Sequence, residues 1–140
     1  MDPAPKEAAG AMLRAAGKDY LEAILELEGQ TPKLRSADLA CYLGVTRASV
    51  CRAVGQLRGG GFLAGEGKAL RLTEQGRAAA LQARERRQFF EGLLLAAGVD
   101  PAQAKADAGR MKHAVSDESY ARLRAQNTGR KGGSGLHDDQ

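Results

Sequence analysis

The chain has 140 residues, of which 43% are hydrophobic and 27% charged, with only 4% aromatic and no Trp. That composition excludes a disordered or fibrous chain, and the length allows one compact domain or one small domain with an attached oligomerisation unit. The formal net charge of +4 permits a nucleic-acid partner without demanding one, and a core made from Leu, Ala and Val is thin enough to call for a second subunit.

The charge is unevenly spread. Residues 30–83 hold eight bases (Lys33, Arg35, Arg47, Arg52, Arg58, Lys68, Arg71 and Arg77) against three acids (Asp38, Glu66 and Glu74), a local excess of five that attracts phosphates. The two cysteines, Cys41 and Cys51, are too few for a disulfide framework or a zinc knuckle. Met1–Lys18 lacks the continuous apolar stretch of a signal peptide, and no apolar run reaches the length of a membrane span. The expected compartment is therefore a reducing cytoplasm, with no membrane partner.

In chain order, residues 1–10 read as a loose arm. A helix then runs to about Glu28, with Tyr20, Ile24 and Leu27, and Leu21 and Leu25, at helical spacing. Gly29 ends it and Thr31-Pro32 turns the chain. A second helix is expected after Ser36 as N-cap, carrying Leu39, Ala40 and Leu43 and stopping at Gly44. Thr46 caps a third helix that reaches about Arg58. The interval between the two, Gly44-Val45-Thr46, has the length of the turn in a helix-turn-helix.

Gly59-Gly60-Gly61 breaks the third helix. Two short strands are predicted next, Phe62–Ala64 and Ala69–Leu72, joined by a turn at Gly65-Glu66-Gly67-Lys68, which makes a wing. Thr73 caps a long helix to about Ala97. After a turn at Gly98-Val99-Asp100-Pro101 come a helix over about 101–114 and another beyond Ser116. The fold class is mainly α, with a winged helix-turn-helix over 11–74, a helical domain over 75–126 and a Gly-rich, polar tail over 127–140 that reads as disordered.

The third helix divides by angle, at about 100° per residue. Val50, Val54 and Leu57 form one stripe that must face the core. The opposite face presents Ala48, Arg52 and Gly55, flanked by Ser49, Cys51 and Gln56. Small residues at 48, 49 and 55 let a helix approach base edges closely, and Arg52 can donate two hydrogen bonds to guanine. Thr46 and Arg47 sit where a helix N-terminus meets the phosphate backbone. Lys68 and Arg71 lie on the wing, suited to backbone or minor-groove contact, and Arg35 joins this DNA-binding set. No Gly-rich phosphate loop, nucleophile elbow or triad is present, and one of the two histidines lies in the tail, so catalysis is not expected.

These segments resemble the bacterial metal-dependent repressors of the diphtheria-toxin-repressor type, including the manganese-responsive branch. The resemblance rests on DYLEAILELEGQTP (19–32), ADLACYLGVTRASV (37–50), LRLTEQGRAAA (70–80), GVD (98–100) and RMKHAVSDE (110–118), in that order, from Asp19 to Leu123. It implies a transcriptional repressor whose helices after the wing form a homodimer. Each copy would offer one recognition helix to a half-site of a palindromic operator in double-stranded DNA. It further implies no SH3-like third domain.

The resemblance also implies a divalent metal, manganese or iron(II), held between the first helix, the long helix and the one after it. Asp19 and Glu22 match two ligand positions, His113 a third, and Glu91 an ancillary carboxylate of the iron branch. The remaining positions depart from the pattern. Arg87 stands at a His position, Gly109 at a Glu or Cys position and Lys112 at a second Glu position. A cation cannot ligate a metal, but Arg87 and Lys112 can neutralise Asp19 and Glu22 as a metal would. Three alternatives stay open: salt bridges in place of metal, an inert site, or metal bound through the remaining carboxylates and His113.

Oxidation of Cys51 could block the DNA-facing stripe, although a half-buried small residue is the plainer reading. Cys41 is expected to pack between helices, and His137-Asp138-Asp139 to be solvated. A winged-helix adaptor for a protein partner, a double-stranded RNA binder and a non-specific chromatin binder remain as alternatives to a sequence-specific repressor.

Overall fold

A computed structural model describes residues 13–138, with side chains in the last helix as far as residue 128. The arm expected at 1–10 lies outside the described residues, as do the side chains of His137-Asp138-Asp139. Among the described residues the chain forms six helices: α1 (Ala15–Glu28), α2 (Ser36–Leu43), α3 (Arg47–Gly59), α4 (Glu74–Ala96), α5 (Pro101–Ala114) and α6 (Asp117–Asp138). None is long and apolar enough to cross a membrane.

The first three helices pack on one another around a single apolar cluster. From α1 it takes Leu21, Ala23, Ile24 and Leu27; from α2, Leu39 and Ala40; from α3, the stripe Val50, Val54 and Leu57 that the helical angle predicts. Leu21, Ile24, Leu39 and Val50 are fully buried. Each such side chain stabilises the unit by about 1.5–3 kcal/mol relative to exposure.

The turn between α2 and α3 follows from its residues. Gly44 adopts φ 69°, a left-handed conformation open to glycine, and Val45 N–H then reaches the Ala40 carbonyl at 3.1 Å. Thr46 caps α3, its hydroxyl accepting from the Ser49 N–H at 3.0 Å. The cap of α2 is Arg35 and not Ser36. The Asp38 carboxylate reaches back to the Arg35 N–H at 3.0 Å, which starts the helix one residue early.

The predicted hairpin of two strands does not form. One antiparallel bridge, Leu63 with Leu72, replaces it. The physical reason lies in the flanking residues: Phe62, Leu63 and Leu70 are drawn into the core, and the Leu70 N–H bonds the Leu34 carbonyl at 2.7 Å. The wing is therefore a loop over 64–71 closed by that bridge, whose bonds are Ala64 N–H to Arg71 O at 2.8 Å and Thr73 N–H to Phe62 O at 3.2 Å.

Thr73 caps α4, accepting from Gly76 N–H at 3.0 Å and donating to the Gly61 carbonyl at 2.6 Å. The chain divides within α4 into the compact units Met1–Arg84 and Glu85–Gln140. The start of α4 belongs to the first unit because Ala80 is fully buried in its core and Arg77 pairs with Glu28 of α1 at 2.6 Å.

In the second unit, Phe89, Phe90 and Tyr120 form an aromatic cluster, with Phe89 edge-on to Phe90 at 5.2 Å and to Tyr120 at 5.5 Å. Asp100 caps α5 by accepting from Ala102 N–H, with Pro101 at the first helical position. The tail expected to be disordered from 127 instead continues α6 to Asp138. Once a helix is nucleated each added residue gains one backbone bond.

Candidate nucleic-acid interface and metal-site positions

The first unit exposes most of the residues that the sequence assigns to DNA binding. On α3, Arg47, Ala48, Arg52 and Gln56 are exposed, and Ser49 is half-buried. Thr46 is exposed at the helix start, its hydroxyl donating to Ser49 Oγ at 3.0 Å while accepting from the Ser49 N–H. This pair holds the N-terminal turn, where free N–H groups favour an anion. Gly55 shares the face, and a methyl group built on it would meet nothing within 4 Å. The absence of bulk at 48 and 55 leaves the helix backbone open to close approach.

Arg35, Lys68 and Arg71 are exposed as well, the last two on the wing. The local basic excess is not all displayed. Arg77 is engaged by Glu28, and Arg58 turns its guanidinium to the wing backbone, donating from Nε to Ala64 O at 2.9 Å and from Nη2 to Gly67 O at 2.8 Å. Sequence reasoning counted Arg58 as surface charge. Its place one residue after the buried Leu57 and just ahead of the glycine run is the signal that it serves the turn.

The residues matched to metal ligands fall in both units. Asp19 and Glu22 are half-buried, one turn apart on α1. Glu91 is on α4 and the half-buried His113 on α5. Glu91 is taken by Arg87, which donates to its carboxylate at 2.6 Å along the same helix. Lys112 is only 5% exposed and continues the buried stripe of Ala104 and Ala108 on α5. Gly109 offers no donor. Within neither unit, among the described residues, are three His, Cys, Asp or Glu side chains gathered as a metal ion would require. Manganese and iron(II) need several oxygen and imidazole donors around one point, and a guanidinium and a buried ammonium repel a dication. With Arg87, Gly109 and Lys112 supplying no donor, the residue types at these positions depart from a family-type set.

Arg86 is a cation that sequence reasoning passed over. It lies 4.5 Å over the Tyr120 ring, donates to Ser116 O at 3.1 Å and pairs with Asp117 at 3.1 Å, which pins the start of α6 to α4 within the second unit. Its spacing of three and four from Phe89 and Phe90 is the signal that could have found it. Cys41 is exposed, contrary to the packing expected of it, because Leu39 and Ala40 take the buried face of α2; Cys51 is exposed too.

Residues 73–128 match the family described as "Iron dependent repressor, metal binding and dimerisation domain". The chain is 36% identical over 102 residues to "Transcriptional regulator MntR" of Salmonella typhimurium, covering 72% of this chain and 65% of that protein. It is 35% identical over 107 residues to the regulator of the same name from Escherichia coli O6:H1, covering 76% of this chain and 69% of that one. A solved structure, "Manganese-dependent transcriptional repressor complex with manganese", superposes with a TM-score of 0.67 at 29% identity, over 79% of this chain and 51% of that one. The chain thus spans about two thirds of its curated relatives and half of that structure. On these likenesses, the chain belongs to the diphtheria-toxin-repressor and MntR family of metal-dependent repressors.

Proposed function

We propose that this chain is a sequence-specific transcriptional repressor that binds a palindromic operator as a homodimer in the cytoplasm, and that it does so without a metal ion. The observation that carries the reading is the exposure of Arg47, Arg52 and Gln56 on α3 with the small residues Ala48 and Gly55, together with that of the wing cations Lys68 and Arg71. In this reading α3 enters the major groove, Arg52 reads a guanine edge with two donors, and Thr46 and Arg47 set the helix start against phosphate. Lys68 and Arg71 add contacts that carry affinity and no sequence information. Exposed Leu93, Leu95 and Leu123 in the second unit supply apolar surface for a second copy.

Metal independence is supported by the charges at the ligand-matched positions. Arg87 and Lys112 place basic side chains where the family resemblance places ligands, and Arg87 already pairs with Glu91. A buried ammonium such as Lys112 is retained only with compensating negative charge or acceptors nearby. Selection from a random duplex library should return a palindrome with half-sites about one helical turn apart. A monomer that enriches no sequence would sink the DNA reading, and binding with a steep salt slope but no preference would replace it with a non-specific chromatin role.

A further inference from the structure

We propose that Arg58 is a positioning residue that sets the wing against α3 and so aims Lys68 and Arg71. This rests on the DNA-binding reading above and deepens it. A wing made of two paired strands would be held by its own ladder. Here the only strand-like pairing is the Leu63–Leu72 bridge, and among the described residues no backbone–backbone hydrogen bond is made within 65–69. The loop tip must be held by something else.

Arg58 provides that hold. It stands at the end of α3, half-buried, and its two bonds reach the ascending arm and the tip of the loop: Ala64 O at 2.9 Å and Gly67 O at 2.8 Å. The planar guanidinium can serve two carbonyls at fixed separation, which an ammonium on a flexible stem cannot do with the same geometry. A charged donor makes each bond stronger than a neutral one. Both carbonyls adjoin functional positions. Gly67 directly precedes Lys68, so the clamp holds the peptide that carries Lys68. Ala64 donates its own N–H to the Arg71 carbonyl at 2.8 Å, so the residue held on the ascending side is the one bonded to Arg71. Gly67 itself adopts φ 89°, which most L side chains avoid, so the peptide that Arg58 holds takes a course natural to glycine. Through Arg58 the recognition helix and the wing move as one body. The residue does not itself touch the nucleic acid.

Two measurements test this. Amide hydrogen exchange on the full chain without DNA should show Arg58→Ala and Arg58→Lys both raising exchange across 64–71 by about tenfold or more, with the buried amides of α1 and α3 unchanged. Operator binding should then show that Lys68→Ala costs much less in the Arg58→Ala background than in the wild type, because an unaimed lysine has little contact left to lose. Unchanged exchange at 64–71 overturns the clamp. A full, additive Lys68→Ala penalty beside raised exchange overturns its role in aiming. If Arg58 instead contacts phosphate directly, Arg58→Lys retains affinity and Lys68→Ala stays additive, which also overturns it. Failure of the wild type to bind any duplex refutes the DNA reading and leaves the exchange result to judge the clamp alone.

Discussion

Arg87 donates to Glu91 at 2.6 Å, one turn further along α4, so the carboxylate that the family pattern offers to a metal is answered by a guanidinium on its own helix. The two side chains are 17% and 24% exposed. A fully solvated pair at this spacing contributes about 0.3–0.5 kcal/mol; partial withdrawal from water strengthens the attraction and adds a desolvation cost against it. The pair is intrinsic to the sequence and needs no ion from solution.

Operator affinity should therefore be the same with manganese, with iron(II) and with chelator. Fluorescence anisotropy in each condition, with metal analysis of the purified protein, checks it. A tenfold gain on adding manganese, about 1.4 kcal/mol, would refute metal independence and leave Asp19, Glu22 and His113 as the ligands. If metal has no effect, Arg87→His with Lys112→Glu should restore part of a metal response. Gly109 still lacks a donor, so full recovery is not expected.

Arg52 and Lys68 are both exposed but should fail differently. Arg52→Ala should cost about 1–3 kcal/mol on the cognate operator and relax preference at one base pair. Lys68→Ala should weaken all sequences alike and make the salt dependence shallower. Competition against single-base operator variants at two salt concentrations separates them. Identical behaviour of the two variants means the division of roles is wrong.

The helix-turn-helix was legible because its signals are local. Gly44 and Thr46 mark the turn whatever surrounds them, and the Val50, Val54, Leu57 stripe is a matter of helical angle. The wing was only half legible. Glycines announce its turn, but whether Leu63 and Leu70 pair with the opposite arm or sink into the core depends on Leu34, far earlier in the chain, whose carbonyl takes the Leu70 N–H. The roles of Arg58 and Arg86 were hidden for a related reason: a side chain that bonds distant backbone carbonyls carries no periodic signature. The departures at Arg87, Gly109 and Lys112 could be read directly, whereas the Arg87–Glu91 pair needed coordinates.

Gly55 sits inside α3 with open space around it, so packing gives no reason for a residue that costs about 1 kcal/mol relative to Ala in a helix interior. Close approach to DNA gives one. Gly55→Ala should raise thermal stability by up to that amount. Gly55→Leu should stabilise the helix as well, yet lower operator affinity by about tenfold or more through its bulk. Melting curves and anisotropy on the same samples check both. If Gly55→Leu binds as tightly as the wild type, that face of α3 does not enter the groove.

Gly76 and Gly92 lie on the same helix and should respond to alanine with opposite sign. A methyl group at Gly76 would fall 1.9 Å from the Phe62 carbonyl oxygen and 2.9 Å from its carbon, both backbone atoms that cannot rotate aside. To make room, α4 must lift from the 61–63 segment. That movement strains Thr73 N–H to Phe62 O, at 3.2 Å, and Thr73 Oγ1 to Gly61 O, the bonds that join the end of the wing to the long helix. Overpacking of this kind costs about 1–3 kcal/mol, and rigid backbone on one side pushes toward the upper end. Gly92 is exposed, with nothing within 4 Å of a built methyl group, so Gly92→Ala should gain helix stability, about 1 kcal/mol at most. Urea midpoints of the two variants at equal slope provide the comparison. If both variants shift the same way, the close approach of α4 to Phe62 is not a feature of the protein in solution.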